Sequence, residues 1–143
     1  MKLTIYTDGG ARGNPGPAGI GVVILNSAGK VVKEIGEYIG VTTNNQAEYQ
    51  ALIRGLEIAK KLGTSEIAVV MDSELVVKQI KQEYRVRDKD LQPLFVKAWN
   101  LLHGFKKYSI RHVLRGKNKR ADALVSQAID NDRVVRRSTF TLA

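Results

Sequence analysis

Four acidic residues stand in short strings that set them apart from the other acids of the chain. They are Asp8 in YTDGG, Glu48 in TNNQAEY, Asp72 in VMDSE and Asp122 in NKRADAL. Carboxylate oxygens are hard ligands, and a group of them suits Mg²⁺ or Mn²⁺. Around them the chain is basic: Lys plus Arg total 23 against 14 Asp plus Glu, a formal net charge of +9 over 143 residues. That surplus favours a polyanionic partner. A cluster of acids inside a basic protein points to metal-assisted chemistry on a nucleic-acid phosphate. Singly, each acid reads first as a solvated surface charge or a helix-turn charge; the four together reverse that and argue for a site.

Other chemistries are excluded or disfavoured by composition. The chain has no cysteine, hence no disulfide, no thiolate metal site and no thiol nucleophile. Two histidines give little scope for a His-based zinc site. No apolar run approaches the roughly 18 residues of a membrane span. The opening MKLTIYTDGG reads as a strand rather than a signal peptide, so a cytoplasmic, soluble and monomeric protein is expected.

The length fits one compact domain with a sizeable core. Residues 2–8 alternate and run into Asp-Gly-Gly, a strand entering a turn, and residues 9–17 form a Gly/Pro-rich loop. Residues 18–26 and 30–39 are β-branched and apolar about Asn26-Ser27-Ala28-Gly29, a hairpin signal. Over residues 44–62 the small and apolar side chains Ala47, Ala51, Leu52, Leu56, Ile58, Ala59 and Leu62 recur at helical spacing. Thr43 or Asn44 is the expected N-cap and Gly63 the stop. Residues 66–71 read as a strand buried on both faces. Helices are expected from Asp72-Ser73 to about Gln82, over residues 88–104 and from Lys119 to Ile129, with a fifth strand from Tyr108 to Leu114. The resulting order, β-β-β-α-β-α-α-β-α, implies an α/β fold: a five-stranded mixed sheet flanked by helices, its first three strands an antiparallel meander. Residues 1–130 form the expected domain, and residues 131–143, with Arg133, Arg136 and Arg137, a basic tail of weak structure.

This order and these strings resemble the type 1 ribonuclease H family over about residues 1–130. The motifs YTDGGARGNPGPAG, TNNQAEYQAL, MDSELVV and NKRADAL follow one another in the family's order. The resemblance implies the ribonuclease H-like fold and an endoribonuclease that hydrolyses the RNA strand of RNA/DNA hybrids. Its products would carry 3′-hydroxyl and 5′-phosphate ends. Asp8, Glu48, Asp72 and Asp122 match the family's four acids, which bind two divalent metals, here two Mg²⁺ with Mn²⁺ as a substitute. Some members carry a basic, Trp-bearing protrusion between two helices; here Gln82 to Asp88 pass directly into the next helix, so this is a short form without that handle. Many members have a histidine in the loop before the last acid. Here the loop Arg-Gly-Lys-Asn-Lys-Arg has none, and Arg115 stands nearest to that role.

Two metals about 3.5–4 Å apart can activate the water and stabilise the leaving oxygen of a phosphodiester. Asp8, at the end of the central strand, is the natural shared ligand; Glu48, Asp72 and Asp122 flank it. Without metal the four acids repel and at least one carboxyl pKa rises. The resemblance also places Asn14 and Thr43 on a DNA phosphate, the backbone of Gly9, Gly10, Ala11 and Gly13 against the RNA, and Asn44 and Asn45 in the minor groove, with Asn118 a further substrate contact. The glycine loop alone reads as a flexible turn, and Thr43-Asn44 as simple capping. Amides in the minor groove would read the 2′-hydroxyl and little sequence. His103 and His112 read as structural residues, and Phe95 and Trp99 as packing. Arg115 reads as a phosphate-handling group or an ordinary surface arginine. Two rivals are weighed. An integrase- or resolvase-like nuclease on the same fold is disfavoured by TNNQAE. A non-catalytic hybrid-binding or double-stranded-RNA-binding module is expected to have lost one of the acids. Double-stranded RNA also stands as a second candidate partner of the enzyme.

Overall fold

The computed structural model describes residues 1–131 and the backbone of residues 135–138. Three strands form the meander: β1 (Lys2–Ala11), β2 (Gly16–Leu25) and β3 (Val31–Thr42). Then come helix α1 (Asn44–Lys61), strand β4 (Glu66–Met71), helices α2 (Glu74–Ile80) and α3 (Gln92–His103), strand β5 (Lys107–His112), one 3₁₀ turn (Arg115–Lys117), helix α4 (Lys119–Asn131) and strand β6 (Val135–Ser138). The sheet order is β5-β4-β1-β2-β3-β6. β1 runs antiparallel to β2 and parallel to β4; β5 is parallel to β4 and β6 antiparallel to β3. No helix among the described residues is long and apolar enough to cross a membrane.

Local chemistry accounts for the boundaries. The β2–β3 turn closes because Asn26 Oδ1 accepts from the N–H groups of Ala28 (2.9 Å) and Lys30 (3.0 Å). Helix α1 starts on a capping box: Thr43 Oγ1 accepts from Gln46 N (3.2 Å), and Gln46 Oε1 accepts in return from Thr43 N (3.2 Å). Gly63, at φ 78°, follows its end. Ser73 caps α2, so Asp72 stays outside the helix with its carboxylate at the tip of β4. The chain turns at Gln82, φ 63°, which ends α2 short of the expected Gln82. Helix α3 begins at Gln92 rather than residue 88 because Pro93 occupies its first turn and residues 88–91 close a turn on the Asp88 carbonyl.

The main core lies between one sheet face and α1–α3. Leu3 and Ile5 of β1 meet Tyr49, Leu52 and Leu56 of α1, with Ile67 and Val69 of β4 beside them. On the other face α4 lies close over β2 and β3, where Ala121 and Leu124 pack against Val23. A glycine permits this approach: a Cβ on Gly21 would stand 2.2 Å from the Ala121 carbonyl oxygen. The buried Glu34 of β3 pairs with Arg120 and ties the start of α4 to the sheet.

The five expected strands and flanking helices are all present. Two details differ. Residues 9–11 are not loop but the last part of β1, paired with Ile20, Gly19 and Ala18, so the turn itself is only Arg12 to Pro15. The tail contributes a sixth strand, β6, set against Lys33 to Gly36 of β3. Its sequence Val-Arg-Arg-Ser is four residues long with one apolar side chain, too little to register as a period. Residues 132–134 and 139–143, and the side chains of Arg136 and Arg137, lie outside what is described.

Candidate active site

The central strand carries the site. β4 pairs with β1 as far as Thr7 and Met71. One residue further, Asp8 and Asp72 are neighbours at the point where β4 leaves the sheet. Helix α1 crosses β1 here because residue 9 is glycine: a Cβ would stand 2.3 Å from the carbonyl carbon of Ala47. That contact puts Glu48 against the strand, where its Oε1 accepts from Gly9 N at 2.9 Å. Asp8, Glu48 and Asp72 each offer a carboxylate oxygen, and the three atoms lie within 4.8 Å of one another. Asp122, in the first turn of α4, is outside this trio but lines the same cleft and pairs with Arg115, Nη2 to Oδ1 3.4 Å.

The electrostatics follow from burial and crowding. Asp8 is 5% exposed. Its carboxyl is pushed far above the usual range, first by burial, then by the charges of Glu48 and Asp72, with Asp122 adding a hydrogen bond and its own charge. Glu48 is pushed up to about 8 by burial and by Asp72, against the opposing pull of the Gly9 N–H and Arg115. Asp72 is raised by burial, with Asp8 and Arg115 acting the other way. Arg115 is held more firmly charged, chiefly by Asp122, then by Asp8 and Asp72. Such a set is unfavourable as four anions and favourable around a hard cation, so the donors fit divalent metal with oxygen ligands.

The cleft measures about 370 Å³. Its walls bring together Asp8, Glu48, Asp72, Asp122 and Arg115 with Gly9, Gly10, Ala11, Asn44 and Asn45. A hydrogen-bond relay fixes one wall: Asn44 Oδ1 accepts from Ala11 N at 2.7 Å, and Asn14 Oδ1 accepts from Asn44 N at 3.0 Å. Asn14 and Gly13 thus stand at the β1–β2 turn beside the start of α1, outside the walls of the cleft, as does Thr43, whose hydroxyl oxygen is engaged in capping. Arg12 pairs with Asp130 and joins this turn to the far end of α4.

Asn118 is not where a substrate contact must be. It is 2% exposed, and its Nδ2 donates to the Thr7 carbonyl at 2.8 Å. The string NKRAD marks the residue but not the direction of its side chain, which the packing of α4 on β1 decides. His103 stacks on Trp99, with ring centroids 4.2 Å apart, and its Nδ1 lies 2.8 Å from the Trp99 carbonyl; neither it nor His112 lines the cleft. Phe95 packs on the core and on Trp99. The wall residues Val125, Ser126 and Ile129 were not singled out from sequence as site residues. A signal existed: they follow Asp122 by three, four and seven residues, one face of a helix.

Residues 6–128 match the family profile described as reverse transcriptase-like. The chain is 48% identical over 130 residues to Ribonuclease HI of Halobacterium salinarum, covering 91% of this chain and 65% of that relative. The solved structure of that archaeal RNase H1 superposes at a TM-score of 0.89, with 46% identity, 92% of this chain and 99% of that one covered. A bifunctional protein of Mycobacterium tuberculosis is 46% identical over 131 residues, 91% of this chain, but the chain spans only 36% of its length. The structure of LC11-RNase H1 in complex with RNA/DNA hybrid superposes at 0.86, with 47% identity, over 91% of this chain and 98% of that one.

Proposed function

The chain belongs to the type 1 ribonuclease H family, and from that premise we propose that it is a metal-dependent endoribonuclease acting on RNA/DNA hybrids. It hydrolyses the RNA strand and leaves 3′-hydroxyl and 5′-phosphate ends. The observation that carries this reading is the trio of the buried Asp8 with the half-buried Glu48 and Asp72, its oxygens within 4.8 Å, open to a cleft that Asp122 and Arg115 complete. The LC11 relative, so similar over nearly its whole length, was solved with a hybrid bound.

Asp8, Glu48, Asp72 and Asp122 would hold the divalent ions, which when bound supply an activated water and stabilise the leaving oxygen. The chain's own groups do the rest. Burial of Asp8 between β2 and β4 keeps its carboxylate fixed. Gly9 N–H orients Glu48. Arg115, with 82% of its side chain exposed, remains free to meet a phosphate while anchored on Asp122. The strand-end backbone of Gly9, Gly10 and Ala11 offers close approach to a sugar-phosphate chain. Asn44 and Asn45 line the same cleft and would read the ribose 2′-hydroxyls, the group that separates RNA from DNA. The finer parts of the proposal are two Mg²⁺ ions, Mn²⁺ as a substitute, a monomeric enzyme in the cytoplasm, and double-stranded RNA as a second substrate.

The test is cleavage of an end-labelled hybrid alongside all-DNA and all-RNA duplexes of the same sequence, in Mg²⁺ and in Mg²⁺ with excess chelator. Hybrid cleavage that chelator abolishes and Asp8→Asn removes is expected. Equal cutting of all-DNA duplex would refute hydroxyl reading, and cleavage that survives chelation would refute metal dependence.

A further inference from the structure

We propose that Asn118 is a positioning residue: its buried carboxamide fixes the place of Asp122 relative to Asp8, and so the second half of the metal site. The inference rests on the metal-dependent reading above. Asn118 makes contacts in three directions. Its Nδ2 donates to the Thr7 carbonyl (2.8 Å), the peptide group that leads into Asp8, across 111 residues of sequence. Its main-chain carbonyl oxygen accepts from Asp122 N (3.1 Å), and its main-chain N–H donates to the Arg115 carbonyl (3.0 Å). One residue therefore bonds to the strand of the shared acid, to the backbone of the outlying acid and to the turn that carries the cleft arginine.

Two simpler roles do not match the geometry. An asparagine at the start of a helix ordinarily caps it by accepting N–H bonds on its side-chain oxygen. Asn118 Oδ1 is buried and accepts none among the described residues. A substrate contact needs exposure, and the residue is 2% exposed. What the carboxamide does is hold β1 against the segment entering α4. β4 can no longer support β1 here, because its pairing ends at Thr7 and Met71. Of the other anchors of α4 described above, Gly21 and Glu34 are on β2 and β3, and Arg12 holds only its far end, at Asp130. The bond to Thr7 references the entry of α4, and with it Asp122, to the strand of Asp8. A partner of the ligands that does not touch the ion ordinarily changes metal affinity or activity by about 10- to 100-fold when removed.

The experiment compares the parent, Asn118→Ala and Thr64→Val in the full chain. Thr64 Oγ1, itself buried, donates to the backbone carbonyl of Met1 (2.7 Å) or Glu66 (3.0 Å) and lines no part of the active-site cleft, so its loss controls for general destabilisation. Hybrid cleavage is measured against Mg²⁺ concentration, and Mn²⁺ binding without substrate is measured by calorimetry. Asn118→Ala is expected to raise the half-saturating Mg²⁺ and to weaken Mn²⁺ by about 10- to 100-fold, with the KM for hybrid at saturating Mg²⁺ unchanged. Thr64→Val is expected to leave all three as in the parent. Unchanged metal dependence overturns the proposal, as does a raised KM with unmoved metal affinity, which would make Asn118 a substrate contact. If Asn118→Ala does not fold, the parent answers: the Asn118 side-chain amide protons are expected to exchange slowly and to shift on adding Mg²⁺. Rapid exchange or no shift overturns the proposal. A parent that cleaves without divalent metal sinks the metal reading itself, a result distinct from either.

Discussion

Replacing Glu48 by Gln separates what the acid cluster does for chemistry from what it does to stability. The glutamine keeps the size of the side chain and the oxygen that accepts from Gly9 N at 2.9 Å, and it loses only the charge. In the metal-free protein the folded pKa, about 8, lies above the ordinary 4.5. Below pH 4.5 the carboxyl is protonated both folded and unfolded, and it costs nothing. As pH rises towards 8 the unfolded chain releases the proton first, so the stability of the parent falls across that window and stays low above it. The gap from 4.5 to about 8 corresponds to about 5 kcal/mol as a ceiling, at 1.36 kcal/mol per pH unit. Asp8 and Asp72 share the same protons, and solvent reaches the cleft, which together leave about 1–3 kcal/mol for Glu48 alone. For a domain of this size that is a rise of about 3–10 °C in Tm. Thermal unfolding in chelator from pH 4.5 to 9 is the assay. Glu48→Gln is expected to match the parent at pH 4.5 and to exceed it by that margin at pH 9. Saturating Mg²⁺ should shrink or reverse the gap, because only the parent gains binding free energy, about 2.7 kcal/mol at 100 times Kd. A gain independent of pH, or a variant less stable than the parent at pH 9, would refute a charge confined by burial and by Asp72.

Three further outcomes are expected. Asn44→Ala removes the acceptor for Ala11 N and should raise the KM for hybrid by about 2- to 13-fold, from 0.5–1.5 kcal/mol, with kcat little changed; a fall in kcat alone would refute it. Gly21→Ala pushes a methyl group to within 2.2 Å of the Ala121 carbonyl, so α4 must lift; a loss of about 1–3 kcal/mol by urea unfolding and a marked fall in cleavage are expected, and parent-like activity would show that Asp122 tolerates the shift. Removing residues 132–143 strips β6 from β3 and should lower Tm while leaving the slope of log affinity against log salt as it was; a flatter slope would bring Arg133, Arg136 and Arg137 into the binding surface.

What was legible in the sequence is what local chemistry writes. The capping string TTNNQ, the Asn-Ser-Ala-Gly turn and the apolar strand EIAVVM each fold as their residues dictate, and the first and last of them set Glu48 in the first turns of α1 and Asp72 just past the end of β4. What was hidden depends on contacts distant in sequence. Asn118 meets Thr7 across 111 residues, and Arg12 meets Asp130 across 118. No period or motif encodes which way a single amide turns. The approach of α1 to β1 hangs on the missing Cβ of Gly9, which in sequence is one of several glycines in a loop-like string. β6 escaped notice because an edge strand needs little apolar surface of its own.

The elements that meet at the cleft are drawn from opposite ends of the chain, with Asp8 in β1 and Asp122 in α4. Synthesis proceeds from the N-terminus, so the meander, α1 and β4 can pair before α4 leaves the ribosome. At that stage the trio of Asp8, Glu48 and Asp72 already exists, but the helix bearing the fourth acid, and the turn bearing Arg115, have not docked on β2 and β3. The cleft is therefore complete only with the last helix seated on β2 and β3.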